Sequence, residues 1–471
     1  MKEESTHTDI NNTETPVPGE DLQDRSRRIR KITRNFFLHI HSPRIHPHAL
    51  KPSYTLGFGL MLGFLFLILI FTGVTLMFYY TPSIERAYDS VKDIVFLVPG
   101  GKIIRNIHRW AAHGMVLLVF LHMVRVFYTG SYTGKRATNW VIGVAMLVVV
   151  LLMSFSGYLL PWDQLAYWAV TIGSNIAASA REVTDLIGIT HAFDIGGFLK
   201  RMLIGSEVVG QPALTRFFTL HVFFLPVTLL VLTGVHIWRI RKDGGLSKPG
   251  ESITPSMEGT EKWLTWPLML WIELGVFLFL LATLLLLSLA IDAPLLEQAN
   301  PSHPENPAKS PWYFLGIQEM VAYSAFTGGI LVPVFYLAFL ISLPYTDKEE
   351  KYTGQWFSGQ KGLGITLKSV LFSGIALIII LWVYIDLGWL RDWFPGISQW
   401  WILVFNPASI SSLVFILYSI WIKRKTSSTR MAAIALFTVT LTGIIIFTII
   451  GIWFRGPDWN FFWSPSQWPG Q

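Results

Sequence analysis

The chain contains no cysteine. It can form no disulfide, hold no cysteine-ligated cluster and attach no prosthetic group through a thioether, so any metal must rest on histidine or carboxylate. Charge is also scarce: 14% of the 471 residues are charged against 52% hydrophobic, which points away from a soluble globular chain. The first fifty residues are polar and lack an apolar core followed by a small-residue cleavage site. No removable signal peptide is expected, and the first span serves as the insertion signal.

What the chain has instead is long apolar runs. Nine approach the ~20 residues a bilayer-spanning helix needs: 57–78, 110–126, 140–160, 217–237, 266–289, 326–343, 367–384, 401–422 and 431–454. The expected fold is an all-α, polytopic helical bundle in a membrane. Basic residues collect before the first span ("RSRRIRK"), between the second and third ("GKRATNW"), after the fourth ("WRIRKDGG"), between the sixth and seventh ("DKEEKYTGQ") and between the eighth and ninth ("KRKTSSTR"). These are alternate connections, so the positive-inside rule predicts a cytoplasmic N-terminus. The net charge of +7 is then topological, and nucleic acid is excluded as a partner.

Four segments follow: a cytoplasmic tail and surface segment (1–50), a four-span front part (51–245), a following part (246–345) and further C-terminal spans (346–471). The linker "RKDGGLSKPGESITPSMEGTEK" separates the two halves. In the tail, "LHIHSPRIHPHAL" clusters His39, His41, His46 and His48, read either as a membrane-surface segment or as a metal site. Two connections, 171–215 and 292–325, are long enough to build a site over one membrane face.

Ionisable residues inside spans are costly and carry function by default. The second span holds "IHRWAAHGMVLLVFLH". At ~100° per residue His108 and His122, fourteen apart, share one face within ~40°, while His113 lies ~140° from His108. The fourth span carries His221 and His236, fifteen apart and within ~60°. These two spans are parallel, so His108 pairs in depth with His221 near the outer face and His122 with His236 near the inner face. The two levels lie ~21 to 22 Å apart. That separation is too large for one metal and suits two bis-histidine haems, which leave no open axial position and so support electron transfer. His113 is expected not to bind iron.

Gly59 and Gly73 in the first span, and Gly143 and Gly157 in the third, repeat the fourteen-residue step. Such positions would admit a macrocycle edge, with ordinary close helix packing as the competing reading. Arg105, Arg109, Arg125 and Arg216 stand beside the histidines, where guanidinium suits haem propionates or the lipid boundary.

The stretches "GKIIRNIHRW", "LHMVRVFYTGSY", "GYLLPWDQLAYWAV" and "ALTRFFTLHVFFLPV" resemble cytochrome b, the membrane core of quinol:cytochrome c and quinol:plastocyanin oxidoreductases. The fifteen-residue step from His221 to His236, with "PWDQ" and "YTGSY", is closer to the chloroplast-type branch, whose separate subunit IV residues 260–345 resemble in fused form. The resemblance implies two non-covalent b-type haems, low-potential on His108 and His221 and high-potential on His122 and His236. It implies an outer quinol site walled by Tyr158, Pro161 and Trp162 on one side and by 306–320 on the other. Where that family carries Pro-Glu-Trp-Tyr, this chain reads "SPWY", with Trp312 and Tyr313 retained and Pro311 at the glutamate position. Glu319 is therefore assigned as the substitute proton acceptor, with a structural acid as the alternative, and Asp163 and Asp292 stand behind it. Arg241 is placed at the inner quinone site. The thioether-attached haem of the chloroplast branch is excluded, whereas an unattached third haem stays open.

The expected activity is that of the dihaem subunit of a quinol-oxidising complex in a bacterial inner membrane. Quinol electrons would bifurcate between a Rieske iron–sulfur protein, which feeds a c-type cytochrome, and the two haems leading to an inner quinone site. A proton gradient would result, and the family implies a homodimeric complex. Two other readings fit the histidines: a dihaem anchor of a dehydrogenase without bifurcation, and a transporter that relays protons.

Overall fold

The computed structural model describes residues 55–244 and 268–469, with the short stretches 44–45 and 264–265. The chain divides into two units, Met1–Pro43 and Arg44–Gln471, and the described residues belong to the second. The tail histidines lie outside the described residues.

The front part is built on α1 (Phe58–Met77), α2 (Ala87–Phe96), α3 (Gly101–Tyr128), α4 (Ala137–Tyr158), α5 (Gln164–Ala178), α6 (Arg181–Leu186), α7 (Ile195–Ile204) and α8 (Gln211–Asp243). The rear part adds α9 (Leu268–Ala290), α10 (Trp312–Tyr323), α11 (Thr327–Thr346), α12 (Gln360–Asp386), α13 (Leu390–Trp393), α14 (Gln399–Val404), α15 (Pro407–Thr426) and α16 (Thr429–Trp453). A two-residue antiparallel ladder pairs Arg44–Ile45 with Leu264–Thr265. The chain is an integral membrane protein, with eight described helices long and apolar enough to cross a bilayer.

The helix α3 starts nine residues before its apolar run. Its first turns are polar because they dock on the connection after α9: Lys102 pairs with Asp292 at 2.9 Å, Asn106 donates to Ser288 O at 2.9 Å and Trp110 Nε1 donates to Ile291 O at 2.9 Å. The expected span at 401–422 is interrupted instead. Asn406 caps α15 through Ala408 N and Ser409 N, with Pro407 at the first helical position, where its missing N–H costs nothing. Its serines and the terminal Lys423 and Arg424 keep α15 out of the set of eight.

Two helices contain one wider π turn. Leu225 N donates to Leu220 O and Val332 N to Thr327 O, five residues apart in each case. Proline follows both, Pro226 and Pro333. Proline has no N–H to continue the regular ladder, and the wider turn absorbs the break.

Helix α16 is the most enclosed span. At its start Arg430, 1% exposed, bonds Asp347 and the carbonyl of Glu349, and Asp347 also accepts from Tyr132 OH at 2.5 Å. Above it Gly130 has φ +61°, and a Cβ there would run into the Arg430 guanidinium. This buried knot ties the turn after α3 to the C-terminal helices.

Candidate functional site

Two cavities lie within the front bundle. One, about 1560 Å³ including space open to the surroundings, is lined by His108 of α3 and His221 of α8, with Gly73 and Gly157. The other, about 1730 Å³ on the same measure, is lined by His122 and His236 with Gly59 and Gly143. Phe66, Met115, Val150 and Leu229 line both cavities, and all four are buried. They form an apolar floor between the two spaces.

The His108 and His221 rings face one another with centroids 6.3 Å apart and planes at 79°. That gap accommodates one metal ion at about 2 Å from a nitrogen of each ring. The hydrogen bonds fix the ring protons. Thr72 Oγ1 donates its single hydrogen to Ile68 O at 2.7 Å, so toward His108 Nδ1, 2.8 Å away, it accepts. His221 Nδ1 lies 3.1 Å from Met153 O, an oxygen that only accepts, and 3.2 Å from Ser156 Oγ. Both histidines therefore carry hydrogen on Nδ1 and leave the Nε2 lone pair free, the form a metal-ligating imidazole needs.

The π turn accounts for the unequal spacing. It takes up one extra residue within α8, so fifteen residues there cover the rotation that fourteen cover in the regular α3. The ~60° offset expected for a straight helix does not arise.

Each glycine of the fourteen-residue pairs faces a histidine. A Cβ at Gly73 would lie 3.2 Å from His108 Cε1, and at Gly59 and Gly143 it would lie 3.7 Å from Cε1 of His122 and His236. At Gly157 it would lie 2.9 Å from His221 Nε2. The glycines make room for the imidazoles, a more specific role than admitting the edge of a macrocycle.

The arginines divide. Arg105 and Arg109 line the His108 cavity. Arg105 also donates to Ala293 O at 2.8 Å and Pro294 O at 2.7 Å. Arg109 lies over the Tyr158 ring at 5.7 Å, and its Nε is buried without a partner. Arg125 lines the His122 cavity together with Arg136 and Arg239. Arg216 is a correction: it donates to Arg201 O at 3.0 Å and to Met202 O, capping the end of α7. Its guanidinium is committed there and lies outside the cavity lining. Arg241 likewise lies outside the described lining of the His122 cavity, where Arg239 stands instead.

The lining of the first cavity also includes Tyr158, Pro161, Tyr313, Ser154 and His113, a lobe in which the Tyr313 and His113 rings meet with centroids 5.6 Å apart. Ser154 Oγ donates to Tyr313 OH at 2.5 Å, bringing α4 and α10 together. Trp312 does not line this lobe but donates Nε1 to His113 Nδ1 at 3.2 Å. Trp162 is buried behind the wall at φ +52°, packed with Ala87 and Leu214. Asp163 caps α5 through Ala166 N at 2.9 Å and accepts from Leu296 N at 3.1 Å. Burial raises its carboxyl pKa.

Glu319 is the main revision. It is fully buried, and Arg455 Nη2 donates to its Oε1 at 2.6 Å. Tyr323 OH donates at 2.5 Å and Trp459 Nε1 at 2.9 Å. The described lining of the cavity does not include it. Its carboxylate is committed to a C-terminal ion pair, so the geometry favours the structural alternative over a quinol proton acceptor.

A family described as "Cytochrome b/b6/petB" matches residues 43–244. Cytochrome b6 of Prochlorococcus marinus (strain MIT 9211) is 43% identical over 179 residues, covering 38% of this chain and 77% of that one. Cytochrome b6 of Synechococcus sp. (strain RCC307) is 42% identical over 205 residues, covering 44% and 87%. The chain belongs to the cytochrome b family. As a cytochrome b it is an electron-transfer subunit of a quinol oxidoreductase and binds b-type haem. A solved structure named "Hyperthermophilic respiratory Complex III" aligns over 91% of this chain and 98% of that one, with TM-score 0.64 and 24% identity. That alignment carries the all-helical fold through the rear part of this cytochrome b.

The donor set fits the group. Two facing imidazoles with free Nε2, glycine cradles and cavity arginines are what a bis-histidine b-type haem requires.

Proposed function

We propose that this cytochrome b holds two b-type haems, one on His108 and His221 and one on His122 and His236. It would oxidise quinol in the lobe beside Tyr158, Pro161 and Tyr313. The observation that carries this reading is the pairing of four intramembrane histidines into two cavities, each with its own glycines. When bound, haem would supply one-electron redox chemistry, with His108 and His221 holding one group and His122 and His236 the other.

The chain's own residues do the rest. Thr72, Ser156 and the Met153 carbonyl hold the two imidazoles in the ligating form, Arg109 and Arg125 supply positive charge at the two cavities, and the apolar floor keeps water out between them. Tyr158 OH, buried and unpartnered, and Tyr313 place hydroxyls where a quinol ring would sit. The His122 cavity, with Arg125, Arg136 and Asn139, is the proposed quinone-reducing end.

The wider assignment is a proposal at the same level. It places the N-terminus in the cytoplasm of a bacterial cell, residues 51–245 as the haem-binding part, 246–345 as a fused subunit IV-like part and 346–471 as added spans. The partners are a Rieske iron–sulfur protein, a c-type cytochrome and a second copy of the complex. The lobe built jointly by α4 and α10 favours bifurcating quinol oxidation over a simple dehydrogenase anchor.

A reduced-minus-oxidised absorption spectrum of the purified complex tests the reading. Two b-type haems per chain are expected, with His221→Leu and His236→Leu each removing one. A wild-type protein without b-type bands would overturn it.

A further inference from the structure

The family motif's glutamate is absent, and Glu319 is committed elsewhere, which leaves the lobe's polar chemistry to other groups. His113 is the group without an assignment. Indole N–H only donates, so the bond from Trp312 Nε1 makes His113 Nδ1 an acceptor and puts the proton of the neutral ring on Nε2. The ring is held between Trp110, with centroids 5.4 Å apart, and Tyr313, 5.6 Å away. Its Nε2 is buried and has no partner. The residue lines the same lobe as Tyr158, Tyr313 and Ser154. A buried donor left unmatched in a cavity calls for an acceptor from a ligand.

We propose that His113 donates a hydrogen bond from Nε2 to a ring oxygen of the bound quinol, and that Trp312 fixes the tautomer that allows it. This rests on the outer-site reading above. The charged and titratable groups beside it are Arg109 of its own helix and Tyr313 of α10, with Tyr158 of α4 in the same cavity lining. All are donors or cations, so the lobe favours an oxygen that gains negative charge as the quinol loses protons and electrons. His113 keeps its proton. It binds and stabilises without receiving the one that leaves.

Three variants of the purified complex separate this from a packing role, with quinol:cytochrome c turnover and haem content as readouts. Glutamine reaches the Nε2 position with its amide donor, whereas asparagine reaches only the Nδ1 side and preserves an acceptor for Trp312. His113→Gln is expected to stay within about threefold of wild-type kcat. His113→Asn and His113→Phe should lose about 10- to 100-fold in kcat with a smaller change in KM and unchanged haem spectra. The inference is overturned if His113→Asn is active while His113→Gln is not, if all three match wild type, or if all three lose haem together. A wild-type complex that oxidises no quinol would sink the outer-site reading itself, a distinct result.

Discussion

Replacing Gly157 with alanine is the sharpest test of how the His108 end is built. The new Cβ would stand 2.9 Å from His221 Nε2 and 3.0 Å from Nδ1, inside the ~3.5 to 4.0 Å at which nonbonded heavy atoms rest. The ring cannot simply yield, because Nδ1 is tied to Met153 O and Ser156 Oγ. Overpacking costs roughly 1–3 kcal/mol, and turning the ring forfeits a hydrogen bond worth about 1 kcal/mol. Together, ~2–4 kcal/mol corresponds to roughly 30- to 700-fold weaker retention of a group held by that imidazole. Gly143→Ala, by contrast, meets His236 Cε1 at 3.7 Å, an ordinary contact with little cost. Haem content from difference spectra, measured during dilution or mild denaturant, should therefore follow the order Gly157, then Gly73, then Gly59 and Gly143. Equal losses at all four positions would refute the reasoning, since a role limited to admitting a macrocycle edge makes them equivalent.

Four further outcomes follow from named contacts. Thr72→Val removes the acceptor that holds His108 Nδ1–H and should lower haem retention at that end about 10- to 100-fold, measured as loss of one b-type signal. Arg216→Ala should leave both haem signals intact and cost about 1 kcal/mol through the lost cap on α7, seen as a lower thermal midpoint. Arg430→Met strands Asp347 in the interior and should destabilise the protein by about 3–5 kcal/mol, read by denaturation in detergent. Glu319→Gln weakens the Arg455 pair and should reduce stability in the same assay. A fall in quinol turnover with no stability change would restore Glu319 to the chemistry.

The pairing of histidines with glycines was legible because it is written in intervals along regular helices: His108 to His122, Gly59 to Gly73 and Gly143 to Gly157 keep their spacing in the fold. Local chemistry was legible too, as Thr72 and Ser156 each directly precede a cavity glycine. That pairing was the available signal for the residues that fix the tautomers. Long-range partners left no such mark. Glu319 meets Arg455 and Trp459 more than 130 residues away, so sequence proximity to "SPWY" suggested the wrong environment for it. Arg216 adjoins His221 by number, yet its guanidinium turns to the end of α7. The ~60° offset between His221 and His236 expected from a regular helix was not legible as a π turn, which lies ahead of Pro226 in α8.

The floor of Phe66, Met115, Val150 and Leu229 has an electrical consequence. No polar side chain is among its four residues, so it would act as the dielectric of a small capacitor. Electrons can tunnel across such a layer, whereas protons and hydrated ions cannot, so under the two-haem proposal each electron that crossed would leave a charge separated. Moving one charge against 100 mV stores about 2.3 kcal/mol. If the proposed pair of haems fills the two cavities, charge separated across this layer would be held apart by four apolar side chains that supply no ligand.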